Sequence, residues 1–167
     1  MPANYSVSLK RVIKEFSFET VFMPSEPDDL YVTCQDVNRP GLLLAGRDDY
    51  FDPARVQILG LSELEFIKTL SKEQQKNSLE RLASAKPPLI LITRNLPCPD
   101  CLLEYAKAYS VPLLRTEDST SSCMSSLIYF LGTELAERIT RHGVLVEVYG
   151  EGVLIVGDSG VGKSFLT

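Results

Sequence analysis

Leu89-Ile90-Leu91-Ile92-Thr93, Leu102-Leu103-Glu104-Tyr105-Ala106-Lys107-Ala108-Tyr109 and Val111-Pro112-Leu113-Leu114-Arg115 follow one another within residues 89–115. The first is a short, continuous apolar run bounded by Pro87-Pro88, the mark of a strand buried on both faces. The second carries its apolar residues at spacings of three and four, which is a helix, and the third returns to strand. Strand, helix and strand make a β-α-β unit, so the two strands are expected to be parallel neighbours joined by a right-handed crossover. The fold class that follows is α/β, a largely parallel or mixed sheet flanked by helices.

The segments before this unit extend it. Ser8 can cap a helix over Leu9 to Phe16, whose apolar positions 9, 12, 13 and 16 share one face. Phe18 to Met23 and Leu30 to Thr33 read as strands, and Asn38-Arg39-Pro40-Gly41 interrupts the pattern. Leu42-Leu43-Leu44-Ala45 is short and apolar, and Pro40 before it favours helix. After a turn at Tyr50-Phe51-Asp52-Pro53, Val56-Gln57-Ile58-Leu59 reads as a strand ending at Gly60. Ser62 with Glu65 has the spacing of a capping box and predicts a helix through Leu70. Ser71 to Ser84 predicts a surface helix that the two prolines stop. Ser119-Thr120-Ser121-Ser122 reads as a loop or helix cap, ahead of a helix that runs through Leu127 to about Arg138.

The C-terminal end carries the motif richest in chemistry. Val144 to Tyr149 alternates as a strand, turns at Gly150-Glu151-Gly152 and returns as Val153-Leu154-Ile155-Val156, a β-hairpin. Directly after it, Gly157-Asp158-Ser159-Gly160-Val161-Gly162-Lys163-Ser164 fits G-x-x-x-x-G-K-[ST], a phosphate-binding loop in the strand-to-loop context the pattern needs. Gly157, Gly160 and Gly162 allow main-chain N–H groups to curl around phosphate oxygens. Lys163 would reach the β- and γ-phosphates, and Ser164 would offer its hydroxyl to Mg²⁺ at the head of a helix. The expected organisation is an N-terminal α/β domain over residues 1–134. Residues 135–167 are then a linker with the first strands and phosphate loop of a truncated P-loop domain. Because the sequence stops three residues after Ser164, the chain by itself is expected not to complete phosphoryl transfer, which also needs a carboxylate on the metal and a group orienting the nucleophile.

Composition narrows the classes. Of 167 residues, 44% are hydrophobic and 23% charged, ample for a core and unlike disorder. The net charge of −5, with basic residues scattered, argues against a nucleic-acid binder. No apolar run approaches the roughly 20 residues of a membrane span, and the N-terminus lacks a signal-peptide pattern, so the expectation is a cytoplasmic protein without a membrane partner. Cys98-Pro99-Asp100-Cys101 is a C-x-x-C, but no second pair accompanies it and His142 is the sole histidine. It reads as a loop leading into the first turn of a helix, with free thiols.

Taken together, these segments resemble HPr kinase/phosphorylase. The resemblance rests on Asn38-Arg39-Pro40-Gly41-Leu42-Leu43-Leu44-Ala45-Gly46, on Tyr50-Phe51-Asp52-Pro53 with Arg55 to Gly60, and on Ile92-Thr93-Arg94. Pro112-Leu113-Leu114-Arg115-Thr116 and His142-Gly143-Val144-Leu145-Val146 leading to the phosphate loop complete it. It implies an N-terminal domain similar to those of Mur ligases, and a P-loop kinase domain akin to phosphoenolpyruvate carboxykinase. The implied reaction is phosphorylation of a serine of the phosphocarrier HPr, with ATP or pyrophosphate and Mg²⁺, and its phosphorolytic reversal, in a hexamer that regulates carbon catabolite repression. By the same resemblance His142 and Lys163 are active-site residues, Gly157 to Ser164 bind the nucleotide phosphates, and Ser164 is the magnesium ligand. The sequence departs from the family at Phe165, where a glutamate is usual. The competing expectation is a non-catalytic regulatory or assembly module that binds a metabolite or partner protein.

Overall fold

Ser8 ends a two-residue strand, β1 (Val7–Ser8), and its hydroxyl accepts the Arg11 N–H at 3.4 Å, which starts α1 (Leu9–Phe16). The computed structural model describes residues 5–137 and 143–156. These fall in two compact units, 1–136 and 137–167.

In the first unit, β2 (Glu19–Phe22) follows α1, and β3 (Tyr31–Val32) pairs antiparallel with β1 in a small ribbon. The chain then alternates: β4 (Val37–Asn38), α2 (Gly41–Leu44), β5 (Val56–Leu59), α3 (Leu61–Thr69), α4 (Lys72–Ser84), β6 (Ile90–Ile92), α5 (Asp100–Tyr109), β7 (Leu113–Arg115) and α6 (Thr120–Glu134). A five-stranded sheet forms in the order β2-β7-β6-β5-β4. β4 to β7 are parallel, with Ile90 opposite Leu113 and Leu59 opposite Ile92, and β2 closes the far edge antiparallel to β7. The mixed α/β sheet expected from residues 89–115 is therefore present, with the parallel β6-α5-β7 unit at its centre.

Alternation along these strands builds two cores. Ile58, Leu91 and Leu114 point to one face, where Leu9 and Val12 of α1 and Leu127 and Leu131 of α6 cover them. Leu59, Ile90, Ile92 and Leu113 point to the other, under Leu43 and Leu44 of α2, Leu64 and Ile67 of α3, Leu79 and Leu82 of α4, and Leu102 of α5. Successive crossovers in one sense along β4-β5-β6-β7 place α2 to α5 on the same face, as right-handed connections require. α6 leaves β7 on the opposite side. Each fully buried Leu or Ile side chain contributes about 1.5–3 kcal/mol relative to exposure.

Three boundaries differ from the sequence reading. α3 starts at Leu61 with Gly60 as its cap, two residues before the box read at Ser62 and Glu65, because the Glu63 carboxylate accepts the Gly60 N–H at 2.9 Å. α6 stops at Glu134. The hairpin turns at Tyr149-Gly150, with φ of 53° and 84°, the two positive angles of a type I′ turn.

The second unit's described residues are that hairpin, β8 (Gly143–Val148) and β9 (Glu151–Val156). Its antiparallel register pairs Gly143 with Val156, Leu145 with Leu154 and Val146 with Val153. Both faces are apolar: Val144, Val146, Val153 and Ile155 share one, and Leu145, Leu154 and Val156 the other.

Candidate functional site

In open α/β sheets, ligands gather at the carboxyl ends of the strands. Here β4 ends at Asn38-Arg39, β5 at Gly60, β6 at Thr93-Arg94 and β7 at Arg115-Thr116. The four N-terminal segments that carry the family resemblance are thus brought to one edge of one sheet, although they are scattered through the sequence.

That edge is filled by the protein's own groups. Arg39 makes a fork on Glu63, with Nε 3.0 Å from Oε1 and Nη2 3.0 Å from Oε2, and Nη2 also donates to Ser62 Oγ at 2.7 Å. Glu63 is only 6% exposed, and its Oε2 also caps α3 through the Gly60 N–H. A negative carboxylate is held at the positive end of α3, and the guanidinium compensates its desolvation. Beside it the buried hydroxyls of Thr93 and Thr120 are 2.8 Å apart. A Cβ on Gly60 would stand 2.5 Å from Thr120 Oγ1, so glycine is required where the β5–α3 turn meets α6. Asn38 is tied to Gln57 (Nδ2 to Oε1, 2.9 Å), whose Nε2 donates to the Asp52 and Arg55 carbonyls.

The loops beyond β6 and β7 are locked together. Arg94 and Asn95 both adopt left-handed backbone angles (φ 59° and 50°), and their N–H groups donate to the carbonyls of Asp118 (2.9 Å) and Thr116 (2.7 Å). Next to them a cleft of about 260 Å³ opens between Ser17, Glu19, Asn95, Arg115, Thr116 and Asp118. Arg115 forks onto Glu19 at 2.9 and 2.7 Å, and this hydrogen bond holds the Glu19 carboxyl below its ordinary range.

The cysteine pair is half-buried at the entrance to α5, with all thiols free. Burial, and then Asp100, push the Cys98 thiol up to about 11. A thiol so displaced supplies no thiolate near neutrality, so the loop-and-first-turn reading of C-x-x-C agrees with its surroundings. Among the described residues no group of three or more His, Cys, Asp or Glu could hold a metal ion.

His142 and the whole of Gly157 to Ser164, including Asp158, Ser159, Gly160, Val161, Gly162 and Lys163, lie outside the described residues. What the structure gives is the scaffold that flanks them. Gly143, the residue after His142, is paired with Val156, the residue before Gly157. Motif and resemblance single out these two segments in the sequence, whereas the Arg39–Glu63 and Thr93–Thr120 contacts were not foreseen. Neither carries a local signal, since 24 and 27 residues separate the partners and only the parallel strand order joins them.

Comparison with known proteins is consistent along the chain. The family described as HPr Serine kinase N terminus matches residues 7–131, and HPr Serine kinase C-terminal domain matches 133–167. HPr kinase/phosphorylase of Caldicellulosiruptor bescii is 44% identical over 160 residues, covering 96% of this chain and 51% of the relative. That of Lachnoclostridium phytofermentans is 41% identical, covering 96% and 52%, and that of Geobacillus kaustophilus 41%, covering 95% and 50%. The chain spans about half the length of the curated relatives it matches. Among solved structures, the CBS and DRTGG domains of the regulatory region of Clostridium perfringens pyrophosphatase, complexed with the activator diadenosine tetraphosphate, match with a TM-score of 0.52. At 15% identity over 78% of this chain and 50% of that one, this is a likeness of fold. With the HPr Serine kinase N-terminal and C-terminal families matched over residues 7–131 and 133–167, and relatives named HPr kinase/phosphorylase aligned over nearly all of this chain, the chain belongs to the HPr serine kinase family.

Proposed function

We propose that this chain serves in an HPr kinase/phosphorylase, which transfers a phosphoryl group from ATP or pyrophosphate to a serine of HPr and removes it by phosphorolysis. The observation that carries the reading is the Gly143–Val156 pair. It makes the backbone positions flanking His142 and the Gly157–Ser164 motif cross-strand neighbours, as a site using both would need. In this reading the main-chain N–H groups of Gly157 to Gly162 cradle the phosphates, and Lys163 places its ammonium on the β- and γ-oxygens. Ser164 would help hold Mg²⁺, which when bound would supply charge neutralisation for phosphoryl transfer. Its hydroxyl is the donor type that this hard cation takes. His142 stands as a hydrogen-bonding or charged group beside the phosphoryl oxygens.

The same reading treats residues 1–134 as a regulatory α/β domain and 135–167 as linker and opening of the kinase domain. It also takes the assembly to be a hexamer, the location to be cytoplasmic, and the biological role to be carbon catabolite repression. Phosphoryl transfer further uses a metal-binding carboxylate and a group that orients the nucleophile, which this reading assigns to the part of the relatives that the chain does not span.

The test is transfer of label from ATP to HPr by a protein of the relatives' full length, by its Lys163→Ala variant and by the 167-residue chain. Label on HPr from the full-length protein alone supports the assignment. Silence of the full-length protein with both ATP and pyrophosphate overturns it in favour of a non-catalytic regulatory or assembly module.

A further inference from the structure

α6 is the last element of the first unit, and its final turn contains Glu134 and no basic residue. A carboxylate at the negative end of a helix dipole is unfavourable. Glu134 is nevertheless only 15% exposed, and the group that compensates it comes from α1: Arg11 Nη2 lies 2.6 Å from Glu134 Oε1. α1 is a firm anchor. Leu9 and Val12 are fully buried, the Leu9 N–H donates to the Leu30 carbonyl at 2.8 Å, and Ser8 caps the helix. Leu131, one turn before the end of α6, is fully buried, and the Leu135 N–H closes on its carbonyl at 2.9 Å.

We propose that Arg11 and Glu134 form a latch that fixes where α6 ends, and so where the connection from the 1–136 unit to the 137–167 unit begins. Closed, it keeps residues 131–134 helical despite the misplaced carboxylate. Open, it leaves that carboxylate uncompensated at the helix end and the last turn unwinds into the connection. A released residue passes from about 1.5 Å of rise to at most about 3.5 Å of reach, so one turn adds about 7 Å of tether. The device is independent of the kinase assignment, because both partners and the helix they control lie in the first unit.

Amide hydrogen exchange of residues 131–136 in the 167-residue chain tests it. Arg11→Ala should speed exchange about two- to fivefold, the range of an ion pair with an exposed partner, since Arg11 is 61% exposed, and Glu134→Gln less, since that change removes the charge from the helix end. Arg11→Ala should add nothing in the Glu134→Gln background, which isolates the pairwise contribution. β5 and β6 should exchange as before in every variant. Unchanged exchange in Arg11→Ala, an equal effect of Arg11→Ala in both backgrounds, or acceleration spread equally to β5 and β6 would each overturn the latch.

Discussion

Gly143 faces Val156 across the terminal pair of the β8–β9 ladder, and the backbone there leaves no room for a side chain: a Cβ on Gly143 would lie 2.7 Å from the Ile155 carbonyl oxygen. The partner strand's main chain cannot yield as a flexible side chain would. Gly143→Ala is therefore expected to open this end of the hairpin while Gly150→Asn, at the turn, leaves it closed, since asparagine tolerates a left-handed angle. Faster amide exchange at Val144 and Ile155 in the first variant only is the measurement. If the kinase reading holds, Gly143→Ala in the full-length protein also lowers HPr labelling, because the two flanking segments no longer leave a paired end.

Gly60 makes the second close approach. Its missing Cβ would overlap Thr120 Oγ1 at 2.5 Å, inside a buried contact between β5 and the start of α6. Gly60→Ala should destabilise the first unit by about 1–3 kcal/mol, the usual range for overpacking. Adding Thr120→Ala should recover part of this, because it removes the overlapping hydroxyl, at the cost of the 2.8 Å contact to Thr93, whose hydroxyl keeps its 3.4 Å hydrogen bond to the Leu59 carbonyl. Urea unfolding of the two single variants and the double variant gives the coupling directly; strictly additive losses would mean that the overlap is relieved elsewhere.

How far the sequence foretold this structure depends on where each signal resides. The β6-α5-β7 unit was legible because its strands are continuous apolar runs and its helix keeps a regular apolar spacing. Ser8 and Ser119 were legible as caps for the same local reason, and each accepts an N–H three residues on; Ser71 does the same for Gln74, though the sequence marked only the helix that follows it. β1 and β4, with two residues each, carry no period, and exist because Val7 finds Val32 and Val37 finds Val56. The start of α3 was misread because Ser62–Glu65 and Gly60–Glu63 have the same spacing, and the choice is made by Arg39 from another element. The G-x-x-x-x-G-K-[ST] motif is fully local, and its residues lie outside the described ones. The filled strand-end edge is wholly tertiary and was not legible.

That edge makes an asymmetric prediction. Arg39→Ala leaves the Glu63 carboxylate buried with only the Gly60 N–H and the α3 dipole to compensate it. With Arg39 itself 39% exposed, the expected loss is about 2–4 kcal/mol, toward the lower end of the cost of stranding a buried charge. Glu63→Gln keeps an acceptor for the Gly60 N–H and strands no carboxylate, so it should cost less. Urea midpoints in the order unaltered protein, Glu63→Gln, Arg39→Ala check this, and the reverse order of the two variants would show that Arg39 contributes by packing alone.

Cys98 sets an alkaline limit on the first unit. Burial, and then the neighbouring Asp100, move its thiol from 9.0 to about 11. The folded state therefore keeps a proton that the unfolded chain has already released between those values. Stability rises with pH only where the unfolded state binds more protons, and here it binds fewer. The contribution of the neutral, half-buried thiol is thus fully present below pH 9 and is lost as pH rises through about 11. Cys98→Ser, which carries no group titrating in this window, should lose less stability between pH 8 and pH 10.5 than the unaltered protein, as read by urea unfolding at both values. Alkylation of Cys98 by iodoacetamide should also be slow at pH 8 and accelerate toward pH 11, because the thiolate is the reacting species. Rapid labelling at pH 8 in the folded protein would instead place Cys98 in an environment that stabilises its anion, and would return the Cys98–Cys101 pair to consideration as a redox site.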